Sequence, residues 1–261
     1  MKRYIKLLIK IVKISWQHDT AYFANTALSQ ITPLFYVGSF LLFISVLYQN
    51  IDSIAGYQKQ EILLLVMIGQ LSYYSYSFWG QSPLKLVYQV NNGALDYLLT
   101  KPVSSLFMAT TLSIKPLDAI INFLGPFTPA WLIIDWSQLD LHINNLPFAA
   151  VILLCGVILF HQTQFILSMI VFWTGNGKQA SYLIYAASSQ SIPLEGFSTS
   201  LKLIFTAVIP VYASSVVTSV ILGKSSPVFW LAATLSVTLI FSIAKRALWR
   251  LALRQYSSAS S

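Results

Sequence analysis

Long apolar segments alternate with short polar ones along this chain. A helix that crosses a bilayer needs about 20 predominantly apolar residues. Five segments come close to or exceed that length: about 23–48, 62–79, 106–134 (or 114–134), 147–173 and 228–244. A further crossing falls between 173 and 228, so the pattern predicts an all-α membrane protein with six transmembrane helices.

Residues 181–222 have two interpretations. We favour one in which 181–192 forms a short fifth span and about 193–222 forms a re-entrant outer hairpin between spans five and six. Backbone that turns at membrane depth is tolerated only when protein covers it or it lines a cavity. The alternative makes 203–222 the fifth span and leaves 176–202 in the cytoplasm; both keep six crossings. The polar and helix-breaking residues of the hairpin are Pro193, Glu195 and Pro210.

The segment 85–107 is too polar to cross a bilayer and too regular to be a linker. The sequence NNG at 91–93 breaks it, and Lys101-Pro102 ends its helical pattern, because the residue before a proline is pushed out of the α region. We predict an amphipathic helix in a cytoplasmic loop, 85–104, between spans two and three, suited to receive force from a soluble partner. Its apolar residues recur at helical spacing: Leu86, Val87, Val90, Leu95, Leu98 and Leu99.

The first fifteen residues also form an amphipathic pattern. One face carries Lys6, Lys10 and Lys13, and another carries Ile5, Leu8, Ile9 and Val12. This order predicts an interfacial helix, 1–15, lying on the anionic cytoplasmic leaflet. The alternative is a basic flank that merely orients the first span.

Composition supports an integral membrane protein with a single domain, 1–261. Only 9% of the residues are charged, against about 25% in soluble domains. The net charge of +8 does not indicate nucleic-acid binding, since basic residues cluster beside apolar segments at both ends of the chain. By the positive-inside rule both termini are predicted to be cytoplasmic. The lone Cys155 cannot form an intrachain disulfide.

Six polar or ionisable residues are candidates for a translocation path. The aromatic and hydroxyl residues of 72–79 form either a substrate-contacting surface or a helix-packing and interfacial belt. Three positions separate Lys115 from Asp118, so these residues either pair within the membrane, or Lys115 extends to the interface. His161 lacks the further ligands of a metal site and suits an interhelical hydrogen bond. The set is Tyr73, Tyr74, Tyr76, Lys115, Asp118 and His161.

Two other classes of protein place different demands on the sequence. An ion-coupled secondary transporter or channel needs charged relays at mid-membrane and inverted repeats, and Lys115 with Asp118 is the single such pair that the sequence offers. A membrane enzyme needs a nucleophile with its base, or a set of metal ligands. The histidines lie on separate segments, so we predict no catalytic residue and no metal site.

Three motifs resemble one family over nearly the whole chain. GALDYLLTKPVSSLF at 93–107 resembles the Gly-x-Leu-Asp-x-x-Leu-x-(Arg/Lys)-Pro-Val pattern of type-2 ATP-binding-cassette (ABC) exporter permeases. FWTGNGKQA at 172–180, with the later SIPLEGF and LKLIFTAVIPVYASSVV, is similar to the fifth span and outer hairpin of that family. RQYSSASS at the C-terminus is similar to the tail of its six-span bacterial branch.

The resemblance implies a transmembrane subunit of the inner membrane with an N-terminal elbow helix and a coupling helix between spans two and three. It also implies two separately encoded ABC ATPase subunits, which bind ATP and Mg, and a second permease copy or a related permease. This chain itself would bind no cofactor. The substrate is left open among a lipid, a lipid-linked glycan and an amphipathic drug or peptide.

Residue by residue, the resemblance assigns positions to three parts. Leu98 and Leu99 would bury in the ATPase groove or, alternatively, against the chain's own helix ends. Lys101 stands where the family often has Arg, and a lysine is a point charge without the planar fork of arginine. Pro193, Pro210 and the residues between them fall on the outer hairpin, and 256–258 on the tail. The coupling positions are Gly93, Leu95, Asp96, Leu98, Leu99, Lys101, Pro102 and Val103.

Overall fold

The computed structural model describes residues 2–28, 31–79, 82–111, 113–177, 179, 193–208 and 212–257. Throughout these ranges the regular structure is helical, which confirms the all-α class. Within them, two helical segments are long and apolar enough to cross a membrane, Ile143–Thr174 and Pro227–Gln255, and Ile31–Leu47 is a shorter apolar helix. The count of six crossings stays a prediction.

The first three helices differ from the predicted boundaries. Helix α1 covers Lys2–Ala21 and so continues past residue 15. The predicted first span is divided between α2, Phe23–Leu28, and α3, Ile31–Leu47. Pro33 lies in the first turn of α3, where its missing N–H removes no intrahelical hydrogen bond.

Helix α4, Lys59–Ser75, runs through the centre of the molecule and continues into a 3-10 turn, Tyr76–Trp79. Its residues 62–70 are all buried, including Gln70. A helix that is apolar on every side suits such a position. The helices that follow, up to the end of the fourth predicted span, are α5 Ser82–Asn91, α6 Leu95–Leu99, α7 Ser105–Thr111, α8 Pro116–Ile133, α9 Leu146–Ser168 and α10 Val171–Thr174.

The region of the predicted outer hairpin contains a 3-10 turn, Leu194–Gly196, and two helices, α11 Thr199–Leu203 and α12 Ala213–Ile221. A π-helical turn, Ile204–Val208, continues α11. Pro210 and the predicted fifth span at 181–192 lie outside the described residues. Two helices, α11 and α12, therefore lie within the region of the predicted outer hairpin, while their depth in a membrane stays a prediction.

The C-terminal helix α13, Pro227–Gln255, packs along α9. It starts cleanly because the Ser226 hydroxyl accepts a hydrogen bond from the Phe229 N–H and Pro227 takes the first helical position. On its other side α9 meets α12, where a Cβ added to Gly156 would collide with the Cβ of Ala213. Glycine at this position therefore allows the two helices to approach closely.

Two apolar clusters form at opposite ends of the molecule. One joins α3, α4, α8, α9 and α12 around Leu63, Ala130, Ile152 and Val217. The other, which we call the hairpin cluster, joins α5, α6 and α7 to the C-terminal end of α9, to α10 and to α13. The coupling hairpin, residues 82–111, is thus packed onto the two longest helices of the described chain.

Candidate coupling site

A glycine sets the fold of the coupling hairpin. Helix α5 ends at Asn91, and Gly93 follows with φ +70°, a left-handed conformation that residues with a Cβ adopt at a cost. The Gly93 carbonyl then accepts the Asp96 N–H at 3.2 Å to begin α6. The break predicted from the sequence NNG therefore lies where the chain turns between α5 and α6.

Helix α6 is a single turn with one buried and one exposed face. Leu95 is 0% exposed and Leu98 is 2% exposed, both within the hairpin cluster. Tyr97 and Leu99 are 65% and 39% exposed. Leu98 therefore packs on its own chain, which is the alternative that the sequence left open, while Leu99 keeps a surface that a partner can reach.

The residues after α6 complete an exposed surface. The Lys101 ammonium lies 3.8 Å from the centre of the Tyr97 ring, a cation–π contact, and Pro102 beside it is exposed. Val103 turns back and packs against the hairpin cluster. We call the outward residues Tyr97, Leu99, Lys101 and Pro102 the coupling tip. Tyr97 was not among the predicted coupling residues.

Three long-range hydrogen bonds hold the hairpin in place. The Asn91 side-chain amide donates to the Gly175 carbonyl at 3.0 Å, just past α10. The Trp249 indole N–H donates to the Ser105 hydroxyl at 3.1 Å. At the N-terminus the Tyr4 hydroxyl accepts the Ser104 N–H at 3.2 Å. The hairpin is thus attached to α1, to the turn after α10 and to α13.

Aromatic rings stiffen the hairpin cluster. The centre of the Trp249 ring lies 5.9 Å from those of Phe165 and Phe172, and Phe172 lies 5.9 Å from Tyr256. Aromatic pairs at such separations add stability beyond the area that they bury. The sequence did not indicate these partners, because nothing local to Trp249 shows that it meets residues far earlier in the chain.

Asp96, predicted to face the ATPase, also lies beside the C-terminal tail. The Tyr256 hydroxyl lies close to the Asp96 carboxylate. Burial and, after it, this carboxylate raise the pKa of Tyr256 above its ordinary value. The predicted tail residue and the predicted coupling acid therefore meet in the structure.

The candidates for a translocation path lie around the 3-10 turn after α4. The Lys115 ammonium pairs with the Asp118 carboxylate at 3.0 Å, and the Lys115 N–H donates to the Phe78 carbonyl at 2.8 Å. The ring of Trp79, the next residue, lies 5.2 Å from that of His161, which is buried. The turn therefore brings the ion pair and the histidine to the same region of the molecule.

Other path candidates have structural neighbours. The rings of Tyr73 and Tyr74 meet edge to face at 5.1 Å, and Tyr74 is buried. The side chain of Tyr76 lies outside the described residues. Next to His161, the Gln162 amide makes an interhelical hydrogen bond, donating to the Ser242 hydroxyl of α13 at 2.8 Å.

A group of polar contacts around Lys224, which we call the clamp, lies at the end of the molecule opposite the coupling hairpin. The sequence did not indicate it. The Lys224 ammonium lies 2.7 Å from the Glu61 carboxylate, 2.9 Å from the Gly56 carbonyl and 4.2 Å from the centre of the Tyr57 ring. Burial, then the Glu195 carboxylate, raises the pKa of Tyr57. The clamp joins the start of α4 to the loop before α13.

Glu195 lies at the same end of the molecule as Lys224 and Tyr57. The Ser215 hydroxyl accepts the Leu194 N–H at 2.8 Å and donates to the Glu195 carboxylate at 3.3 Å. These contacts fix the turn after Pro193 on the buried helix α12. Among the described residues, no group of three or more His, Cys, Asp or Glu side chains could hold a metal ion.

The coupling hairpin and three of the helices packed against it, α9, α10 and α13, lie within a match to one protein family. A family model described as "ABC-2 family transporter protein" matches residues 34–260. The chain belongs to this family. An ABC-2 permease is a membrane-integral transport component and not itself catalytic, and its family works in general with an ABC ATPase subunit. No curated protein and no solved structure matches the chain.

Proposed function

We propose that this ABC-2 permease is the transmembrane subunit of an exporter, and that ATPase closure drives it through the coupling tip. The observation that carries the proposal is the division of α6 into a buried and an exposed face. Leu95 and Leu98 bury one face of the turn in the hairpin cluster, next to α5 and α7, and Tyr97 and Leu99 remain on the surface. A lever needs both a free contact surface and a firm attachment.

In this proposal two ATPase subunits bind ATP and Mg, and two permeases, identical or related, form the membrane part. Both termini and the hairpin lie on the cytoplasmic side of the inner membrane. The nucleotide state of the ATPases biases a permease with two conformations, which alternately opens a central cavity to each side. The four anchors Tyr4, Asn91, Ser105 and Leu98 carry the movement into the helices.

The proposed substrate is lipid-like, glycan-linked or amphipathic. Support comes from the weakly charged path region, where the rings of Tyr73, Tyr74 and Trp79 belong to the same stretch of chain that Lys115 contacts through the Phe78 carbonyl. A charged small solute would need more polar contacts, because burying an unpaired charge is costly. Outward transport of such a molecule agrees with the resemblance of residues 93–107, in the coupling hairpin, to the motif of exporter permeases.

The ion pair of Lys115 with Asp118 favours the second candidate, an ion-coupled transporter. The Asp118 side chain is 21% exposed and that of Lys115 is 50% exposed, so a passing ion could reach the pair. Transport by the isolated permease in liposomes, with an ion gradient and no ATPase, would support this candidate. Transport that requires the ATPase and ATP would exclude it.

Capture of the ATPase by the purified permease tests the main proposal. The variant Tyr97→Glu/Leu99→Glu places two charges on the coupling tip and should abolish capture and substrate-stimulated ATP hydrolysis. Ile143→Glu is the control, because Ile143 is 72% exposed at the start of the helical segment Ile143–Thr174, at the end opposite the coupling hairpin. If the double variant captures the ATPase and stimulates hydrolysis as the wild type does, the coupling tip is not the contact.

A further inference from the structure

The basic stripe of α1 has no part in the proposed coupling mechanism and lies outside the residues that match the family. Its members project from successive turns of the helix and are all exposed: Lys2, Lys6, Lys10 and Lys13. At 3.6 residues per turn, these four positions fall within roughly a quarter of the helix circumference. The stripe thus concentrates positive charge along one edge of the molecule.

The other faces of α1 are a face packed on the protein and an exposed apolar flank. The helix face opposite the stripe packs on the protein through Leu8, Ile11, Ser15 and Asp19. Between the two faces lies an exposed apolar flank, with Ile5 53%, Ile9 60% and Trp16 41% exposed. A helix with an apolar flank beside a row of lysines lies in a membrane interface, where the flank enters the acyl region and the cations meet anionic headgroups.

The same helix contacts the base of the coupling hairpin. The Tyr4 hydroxyl accepts the Ser104 N–H at 3.2 Å, and the Tyr4 ring meets the Phe107 ring edge to face at 5.0 Å. Leu7 packs against the hairpin cluster. The position of α1 and the position of residues 104–107 are therefore linked by direct contacts.

We propose that anionic phospholipid binds the basic stripe and, through Tyr4, holds the base of the coupling hairpin. Anionic headgroups draw α1 onto the leaflet, and the Tyr4 contacts then restrict movement of the segment that follows the coupling tip. The charge of the surrounding lipid thereby sets how firmly the hairpin is held. The contacts of Tyr4 with Ser104 and Phe107 lie within this chain and do not depend on the proposed function. Only the consequence for transport rests on it.

Hydrogen exchange of the Ser104 amide reports this contact directly, because that N–H is the donor to Tyr4. The full-length permease is placed in nanodiscs of phosphatidylcholine alone or of phosphatidylcholine mixed with phosphatidylglycerol. Exchange at Ser104 should be several-fold slower in the anionic discs. Each lysine near an anionic surface strengthens the attraction roughly fivefold, so neutralising three should remove the difference.

Three variants separate charge from contact. Lys6→Gln/Lys10→Gln/Lys13→Gln should exchange at the same rate in both lipids, while the matched variant Lys6→Arg/Lys10→Arg/Lys13→Arg should keep the lipid dependence. Tyr4→Phe retains the ring on Phe107 and lacks the hydroxyl acceptor, so its Ser104 amide should exchange fast in both lipids.

Equal exchange of the wild type in the two lipids would overturn the inference, whether or not any variant assembles. A lipid dependence that survives the triple glutamine substitution, or slow exchange in Tyr4→Phe, would also overturn it. None of these results bears on ATPase capture. Loss of capture by the wild type, with the lipid dependence intact, would instead contradict the proposed function alone.

Discussion

Two adjacent leucines of α6 should respond to the same substitution in opposite ways. Leu98 is 2% exposed and belongs to the hairpin cluster, while Leu99 is 39% exposed on the coupling tip. Replacing a buried leucine by alanine costs about 2–5 kcal/mol, because the lost contacts and the remaining cavity add. Leu99→Ala should cost less than about 1.5 kcal/mol, since part of its side chain already meets solvent.

Thermal unfolding of the purified permease, followed by tryptophan fluorescence, measures both changes, and Trp249 reports from within the hairpin cluster. For a chain of this length each kcal/mol corresponds to roughly 2–4 °C, so Leu98→Ala should lower Tm by roughly 4–20 °C. Leu99→Ala should lie close to the wild type in Tm while substrate-stimulated ATP hydrolysis by the complex falls.

The assignment of the two faces of α6 is tested by which of the two variants loses more stability. A Leu99→Ala variant destabilised as much as Leu98→Ala would show that the exposed and buried faces of α6 are wrongly assigned. Normal Tm together with normal ATP hydrolysis in Leu99→Ala would instead remove Leu99 from the partner contact. Measuring both variants in the same detergent controls for the effect of the micelle.

Three further predictions concern the turn at Gly93, the hydrogen bond of Trp249 and the clamp around Lys224. Gly93→Ala should destabilise the hairpin by about 1–2 kcal/mol, read as lower Tm, because φ is +70° there; an unchanged Tm would argue against the left-handed turn. Trp249→Phe keeps an aromatic ring but removes the donor to Ser105, so it should lower the free energy of unfolding by about 0.5–1.5 kcal/mol. Faster hydrogen exchange of the hairpin amides is the readout, and unchanged exchange would contradict the hydrogen bond. Lys224→Met should lower Tm and Glu61→Gln should do so less, since the ammonium also contacts a carbonyl and a ring; equal or absent effects would contradict the clamp.

Local patterns in the sequence predicted the parts of the site that depend on near neighbours. The turn at Gly93 follows from a polar break before an apolar repeat, and the pair of Lys115 with Asp118 follows from their spacing of three on a helix. The buried position of Leu95 follows from the same helical repeat. These features need no knowledge of the rest of the fold.

Contacts between distant segments were not predictable in this way. Trp249 meets Ser105, and Lys224 meets Glu61, across most of the chain, and periodicity shows which face of a helix is apolar but not which helix covers it. The outward position of Tyr97 was missed for the same reason: in a single turn, only the packed structure shows which side chains remain free.

Cross-linking at the coupling tip tests the central claim most directly. In a Cys155→Ser background, Leu99→Cys would carry a thiol-reactive cross-linker in the complete transporter, with Ile143→Cys at the opposite end as the control. The account predicts an adduct between the permease and the ATPase for Leu99→Cys and none for the control. A transporter that holds its ATPase yet gives no such adduct, or a Leu99→Cys thiol labelled from outside intact cells by a membrane-impermeant reagent, would contradict it.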